Sequence, residues 1–235
     1  MKVLNAFSKF ADEYNKYNVI QKDVAQKLCT FLDKKSYKKI LDIGAGDGAI
    51  FENISKRHIE FSNFVALDFS AKMLAIHQDA FCVKKICLDF NEEKLSQHFL
   101  KNEFDLIISS SALQWSNNLT NLLSEIALLS DEFLFSFFTA NTFKTLHSTI
   151  NINSPILTKE EILEALNQVF NYEVELIEYQ LPFDSVHDML RYIKKSGVSG
   201  GVKQLDYKAI KSLMLKYPLD YLEFEVVFVR VIGKK

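Results

Sequence analysis

Residues 40–48 read Ile-Leu-Asp-Ile-Gly-Ala-Gly-Asp-Gly, an apolar run that ends in three alternating glycines, Gly44, Gly46 and Gly48, with Asp42 just ahead of them. Glycine has no Cβ, so a backbone rich in it can bend sharply and lie against a ligand. The amphipathic pattern that follows begins a helix, whose first N–H groups have no partner inside the helix. A turn of this kind holds a nucleotide-like molecule. A dinucleotide site requires G-x-G-x-x-G, with the helix N-terminus kept for a pyrophosphate. Here the third glycine arrives one residue early, so the spacing departs from that of a dinucleotide site.

In open α/β sheets ligands bind beyond the carboxyl ends of the strands, where strand order reverses. Candidate residues therefore belong at strand ends. Asp68 closes the run Val-Ala-Leu-Asp-Phe-Ser, 20 residues past Gly48, about the offset of a ribose-binding acid. Its carboxylate can accept both ribose hydroxyls, while Ser70 is better placed to cap the helix starting at Ala71. Phe69 and Met73 can flank an adenine, although such residues beside a strand end also serve as core. Asp89, in Ile-Cys-Leu-Asp-Phe-Asn, either accepts the adenine amine, with Phe90 supplying an N–H, or opens its loop with an Asx-turn. Asp42 either reaches a cationic end of the ligand, directly or through water, or only bonds the turn amides.

The elements that must position these residues alternate along the chain. Residues 5–17 and 19–33 read as two amphipathic helices. Apolar runs recur at 39–43, 64–68, 84–88, 104–109 and 132–138, with helical patterns at 49–58, 71–79 and 117–129. That alternation implies a parallel sheet with crossover helices on both faces. A strand at 173–181 ends at Pro182. Helical patterns at 184–195 and 206–216 follow, separated by Gly197, Gly200 and Gly201, and 222–232 form a long last strand. The reading is an α/β fold, a doubly wound seven-stranded mostly parallel sheet in one domain over 1–235. N-terminal helices (1–33) cover the ligand, 39–181 form the core, 184–217 form a helical lid or substrate insertion, and 222–232 close the sheet. No internal repeat or low-complexity linker interrupts it.

Composition bounds the function classes. The 235 residues are 48% hydrophobic with 20 Phe, which supports a substantial core and argues against global disorder. A net charge of −2 argues against nonspecific nucleic-acid binding, which uses a basic face. Cys29, Cys82 and Cys87 form no C-x-x-C pair and the five His lack H-E-x-x-H spacing; both points argue against zinc and a disulfide framework. No run of 18 apolar residues marks a membrane span, and the N-terminus lacks a long apolar stretch. The expectation is a cytoplasmic protein without metal, membrane or nucleic-acid partner.

Three segments carry a resemblance. Asp42-Ile-Gly-Ala-Gly-Asp-Gly48, Asp68 with Ser70-Ala-Lys-Met-Leu74, and Phe104-Asp-Leu-Ile-Ile-Ser-Ser-Ser-Ala-Leu-Gln-Trp115 resemble successive motifs of class I S-adenosylmethionine (SAM) methyltransferases. Ala112-Leu-Gln-Trp115 is narrower and is similar to the malonyl-acyl-carrier-protein O-methyltransferases of early biotin synthesis. Phe7-Ser-Lys-Phe-Ala-Asp-Glu-Tyr14, followed by Gln21, resembles that family's N-terminal signature. Leu190-Arg-Tyr-Ile-Lys-Lys-Ser-Gly197 and Tyr217-Pro-Leu-Asp-Tyr221 are similar to its late lid and the approach to its last strand. The resemblance spans nearly the whole chain. It departs at Leu128-Leu-Ser-Asp-Glu132, where the usual Leu-Lys/Arg-Pro-Gly-Gly turn is missing, away from the cofactor.

The resemblance implies SAM as methyl donor, bound by Gln21, Asp42, Gly44, Ala45, Gly46, Gly48, Asp68, Phe69, Met73, Asp89, Phe90 and Ser109. It implies a catalytic set of Tyr14, Trp115 and Arg191. Tyr14 and Gln21 close over the cofactor, Trp115 walls the transfer cavity, and Arg191 pairs bidentately with the substrate carboxylate unless it is a solvated residue beside Lys194 and Lys195. No general base is needed, because a carboxylate with an ordinary pKa near 4 is already ionised. Alignment alone supplies about 7–11 kcal/mol. An acidic acyl carrier protein docks on a basic face, which Lys194, Lys195, Lys203, Lys208, Lys211 and Lys216 provide. Two other readings stay open: a methyltransferase for a free small acid such as trans-aconitate, and a SAM-binding protein without catalysis.

Overall fold

The computed structural model describes residues 17–196 and 207–235. All but the last residue of the expected helix over 5–17, the signature Phe7–Tyr14 with Tyr14 itself, Lys203 and the three late glycines lie outside the described residues.

Helix α1 (Val19–Cys29) leads into β1 (Ser36–Ile43). There follow α2 (Ala49–Lys56), β2 (Glu60–Asp68), α3 (Ala71–Ile76), β3 (Val83–Cys87), β4 (Leu106–Ser110), α4 (Leu119–Ala127) and β5 (Phe133–Phe138). The last third comprises α5 (Lys144–Thr149), α6 (Lys159–Val169), β6 (Phe170–Pro182), α7 (Val186–Ser196), α8 (Tyr207–Lys216) and β7 (Tyr221–Lys234). The sheet has seven strands in the order β3-β2-β1-β4-β5-β7-β6. Strands β1 to β5 pair in parallel, and β7 runs antiparallel to both neighbours. Strand order reverses between β1 and β4, where a ligand crevice belongs.

Three expectations need adjustment. The helix over 19–33 ends at Cys29, because Thr30 turns back on it and donates its hydroxyl to the Lys27 carbonyl at 2.7 Å. The helices over 49–58 and 71–79 end two to three residues early, at Lys56 and Ile76. Helices α5 and α6 have no counterpart in the sequence reading. The α6 signal is local: Thr158 accepts the amide of Glu161, whose carboxylate accepts the amide of Thr158, a capping box.

Each sheet face buries its own core. Ile40, Phe64, Ala66, Leu106, Ile108 and Phe138 pack beneath α1 and α2. Leu41, Ile43, Val65, Ile107, Phe133 and Phe135 pack on the opposite face with α4 and α6. Strand side chains alternate between faces with a period of two. The even-numbered residues of β1, β2, β4 and β5 therefore share one face, and Asp42, Asp68, Ser110 and Phe138 end on it.

Candidate active site

The glycine turn is shaped by its backbone. Gly44, Gly46 and Gly48 all have positive φ, at 78°, 55° and 95°. A Cβ on Gly44 would stand 2.1 Å from the Cβ of Ala112, so the end of β1 and the segment after β4 close on one another only without a side chain there. The amides of Gly44 and Ala45 both donate to the Leu67 carbonyl, at 2.7 and 2.9 Å. The amide of Gly46 donates to Asp68 Oδ2 at 2.9 Å.

One cavity opens above this turn, along the carboxyl ends of β1 to β5. Gln21, Gly44, Ala45, Gly46, Asp68, Phe69, Met73, Asp89, Phe90 and Trp115 all line it. Asp68 is buried, and its second oxygen accepts the Ser70 amide at 2.8 Å. Burial pushes its carboxyl up to about 6; the two amide bonds oppose that, and the nearby Asp47 and Asp89 add to it. Ser70 caps α3 by accepting the Met73 amide, which leaves Asp68 to the cavity. Asp89 does form the Asx-turn, accepting the Asn91 amide on Oδ1 at 2.9 Å, while the residue still lines the cavity.

Four expected site residues stand elsewhere. Asp42 is fully buried beneath the turn and is not on the cavity wall. It does not bond the turn amides either, since those go to Leu67, Asp68 and, for Gly48, the Ala45 carbonyl. Neither of its oxygens has a partner among the described residues, and burial, with Asp68 and Asp47 nearby, holds its carboxyl far above the ordinary range. Gly48 is the N-cap of α2 and does not line the cavity; its missing Cβ makes room for the buried His77 ring. Ser109 is turned to the opposite sheet face and donates its hydroxyl to the Ile43 carbonyl at 2.6 Å. A one-residue step reverses the face, so Ser110 holds the cavity position. Arg191 is exposed on α7, between the buried Met189 and Tyr192, pairs with Asp188 at 3.2 Å, and lines a separate open cleft with Tyr17, Val19 and Phe183. Tyr14 lies outside the described residues.

The cavity also includes residues the sequence reading did not select. Asn18 is buried, donates from Nδ2 to Asp47 Oδ2 at 2.7 Å and keeps an unpartnered Oδ1. It thereby ties the start of α1 to the glycine turn. Asp47 sits inside the glycine run, where the sequence offered a signal; burial raises its pKa, opposed by Lys22 and the Asn18 bond. Ser110 ends β4 and Ser111 and Gln114 follow it, whereas Ile156 arrives from the connection between α5 and α6 without any local signal. Among the described residues the cavity carries four acids (Asp47, Asp68, Asp89 and Glu92) and no Lys or Arg. Unpaired acceptors and acids beside apolar walls suit a cationic, nucleoside-bearing ligand such as SAM. Among the described residues no group of three or more His, Cys, Asp or Glu can hold a metal ion, and no helix is long and apolar enough to cross a membrane.

Comparison with known proteins adds the following. A family model described as a methyltransferase domain matches residues 41–131. The malonyl-(acyl-carrier protein) O-methyltransferase 2 of Ilyobacter polytropus is 30% identical over 217 residues, covering 86% of this chain and 82% of the relative. The malonyl-(acyl-carrier protein) O-methyltransferase of Bacillus cereus is 28% identical over 215 residues, covering 82% of this chain and 78% of that one. Among solved structures, the YcgJ protein from Bacillus subtilis superposes with a TM-score of 0.64 at 15% identity, over 90% of this chain and 98% of that chain.

Proposed function

The chain belongs to the malonyl-(acyl-carrier protein) O-methyltransferase family, and on that premise we propose that it esterifies the free carboxylate of a malonyl thioester carried on an acyl carrier protein, in early biotin synthesis. It is a SAM-dependent methyltransferase. One domain spanning the chain carries both the cofactor and the acceptor, and its place is the cytoplasm.

When bound, SAM supplies a methyl group on a sulfonium, which the acceptor carboxylate oxygen takes in an in-line displacement that forms C–O, breaks S–C and leaves a thioether. Asp68 accepts the ribose hydroxyls, and the free oxygen of Asp89 accepts the adenine amine. Phe69, Met73 and Phe90 enclose the base. Gln21 on α1 covers the cofactor together with Tyr14, and Trp115 walls the transfer space. The single observation that carries this reading is the cavity at the strand-order switch with Asp68 and Asp89 at neighbouring strand ends.

Among the described residues no arginine lines the cavity to clamp the carboxylate. The reaction consumes one negative and one positive charge, so a tight cation on the carboxylate would stabilise the ground state more than the transition state. An acidic carrier protein docks on the exposed Lys194, Lys208, Lys211 and Lys216 of α7 and α8. The test is a side-by-side methylation assay with malonyl-carrier protein, malonate and trans-aconitate, together with complementation of a strain lacking the biotin-pathway methyltransferase. Carrier-dependent turnover and growth are expected. Turnover of trans-aconitate alone would transfer the assignment to the free-acid reading, and failure to bind SAM or S-adenosylhomocysteine in calorimetry would remove both enzyme readings.

A further inference from the structure

Gln114 follows β4 in a single 3-10 turn, Leu113–Trp115, and lines the cavity while only 4% exposed. Its Nε2 donates to the Ser111 carbonyl at 2.7 Å. The flipped amide would set two oxygens against each other at that distance, so the orientation is determined. Oε1 is left buried without a donor among the described residues. The anchor is itself held: Ser111 adopts φ 59° and donates its amide to Ser136, at 3.0 Å to the carbonyl and 3.2 Å to the hydroxyl. A rigid, buried acceptor of this kind requires an N–H or O–H from whatever occupies the cavity.

The roles proposed above give the other donors of the bound molecules partners elsewhere. Acids at the ends of β2 and β3 face ribose and adenine, and Asn18 Oδ1 with Asp47 stands over the glycine turn. Gln114 is on the β4 side, with Trp115 next to it and Phe138 of β5 on the neighbouring strand. A malonyl group has no donor of its own, because its carboxylate and thioester carbonyl only accept. The nearest donor is the first amide N–H of the pantetheine arm behind the thioester sulfur.

We infer that Gln114 is the residue that selects a pantetheine thioester, its Oε1 accepting that amide N–H. The inference rests on the proposed function and deepens it.

The test compares malonyl-N-acetylcysteamine, which carries the amide, with a malonyl S-alkyl thioester of equal length that lacks it. Wild type is expected to favour the amide-bearing substrate in kcat/KM by about 10-fold or more. Gln114→Leu and the volume-conserving Gln114→Met are each expected to bring the ratio to within about twofold, by slowing the amide-bearing substrate alone. SAM affinity, read by calorimetry, is expected to stay within about twofold. A wild-type ratio near one, an equal loss on both substrates, or a variant whose SAM affinity falls with its turnover would overturn the inference, the last by giving Oε1 to the cofactor. If wild type methylates malonyl-carrier protein but neither small thioester, the inference is overturned; if it does not methylate malonyl-carrier protein either, the proposed function fails as well.

Discussion

Gly46 donates its amide to Asp68 Oδ2 at 2.9 Å, so the glycine turn after β1 is fastened to the acid that ends β2. The two motifs are one unit, and the protonation of Asp68 reports on both. Burial raises its pKa from 3.8 to about 6, against the pull of two amide bonds. Between about 4 and 6 the folded chain therefore holds a proton that the unfolded chain has lost, and this group's contribution to stability declines as pH rises through that window. Ligand binding carries the opposite sign, because ribose hydroxyls donate to the ionised carboxylate. SAM affinity measured by calorimetry should rise about tenfold from pH 5 to pH 7. Asp68→Asn should weaken binding and flatten the component centred near 6. A wild-type affinity that falls over this range would contradict the assigned role.

Two glycines of the same turn should fail in different ways. A Cβ on Gly48 would stand 2.9 Å from Cδ2 of His77, at φ +95°. The His77 ring is buried against Phe51 and Phe64, with centroids 5.5 and 6.2 Å away, and has little room to yield. Gly48→Ala should cost about 1–3 kcal/mol in denaturant unfolding, with SAM affinity of the folded protein changed little, since Gly48 is not on the cavity wall. Gly44→Ala pushes a methyl against Ala112 on the wall itself. It should abolish SAM binding even under conditions where the chain stays folded.

Periodicity was enough to read the sheet from the sequence, because each strand is an apolar run and each turn a break in it. It was not enough to pick the side chains that face the ligand. Pairing of Asp42 with Ile108 places Ser110 beside the turn, and nothing in the run Ser109-Ser-Ser111 distinguishes the three until that register is known. Asp89 carried two readings, and both its Asx-turn and its place on the wall are realised at once. Asn18 gave no local signal, and Gln114 stood in the Ala112–Trp115 motif without a role of its own, because a buried polar group is recognised only when its partners can be counted. The segment bearing Ile156 enters the cavity through tertiary packing alone.

Arg191 offers a direct check on that limit. In sequence it is the natural carboxylate clamp, yet it is exposed, paired with Asp188 at 3.2 Å, and lines a different cleft. Loss of a carboxylate anchor at a buried site costs roughly two orders of magnitude or more in KM. Arg191→Ala should instead change KM for the malonyl substrate by less than about threefold and stability by under about 1 kcal/mol, as for other exposed ion pairs. A hundredfold rise in KM would return Arg191 to the site.

The basic face of α7 and α8 should act on encounter rather than on chemistry. Lys194, Lys208 and Lys211 are exposed, and none lines the cavity. Charges at the rim of an interface alter association rate and salt dependence more than the chemical step. Replacing all three by Glu changes the local charge by six and should raise KM for malonyl-carrier protein by about 10-fold or more at low salt. The defect should shrink in 0.5 M salt, where screening extends over only a few ångströms. Malonyl-N-acetylcysteamine, which has no acidic body to dock, should be turned over at the wild-type rate, and SAM affinity should not change. Equal losses on the carrier-bound and the small thioester would show that these lysines support the fold or the cavity, and the docking face would then have to be sought elsewhere.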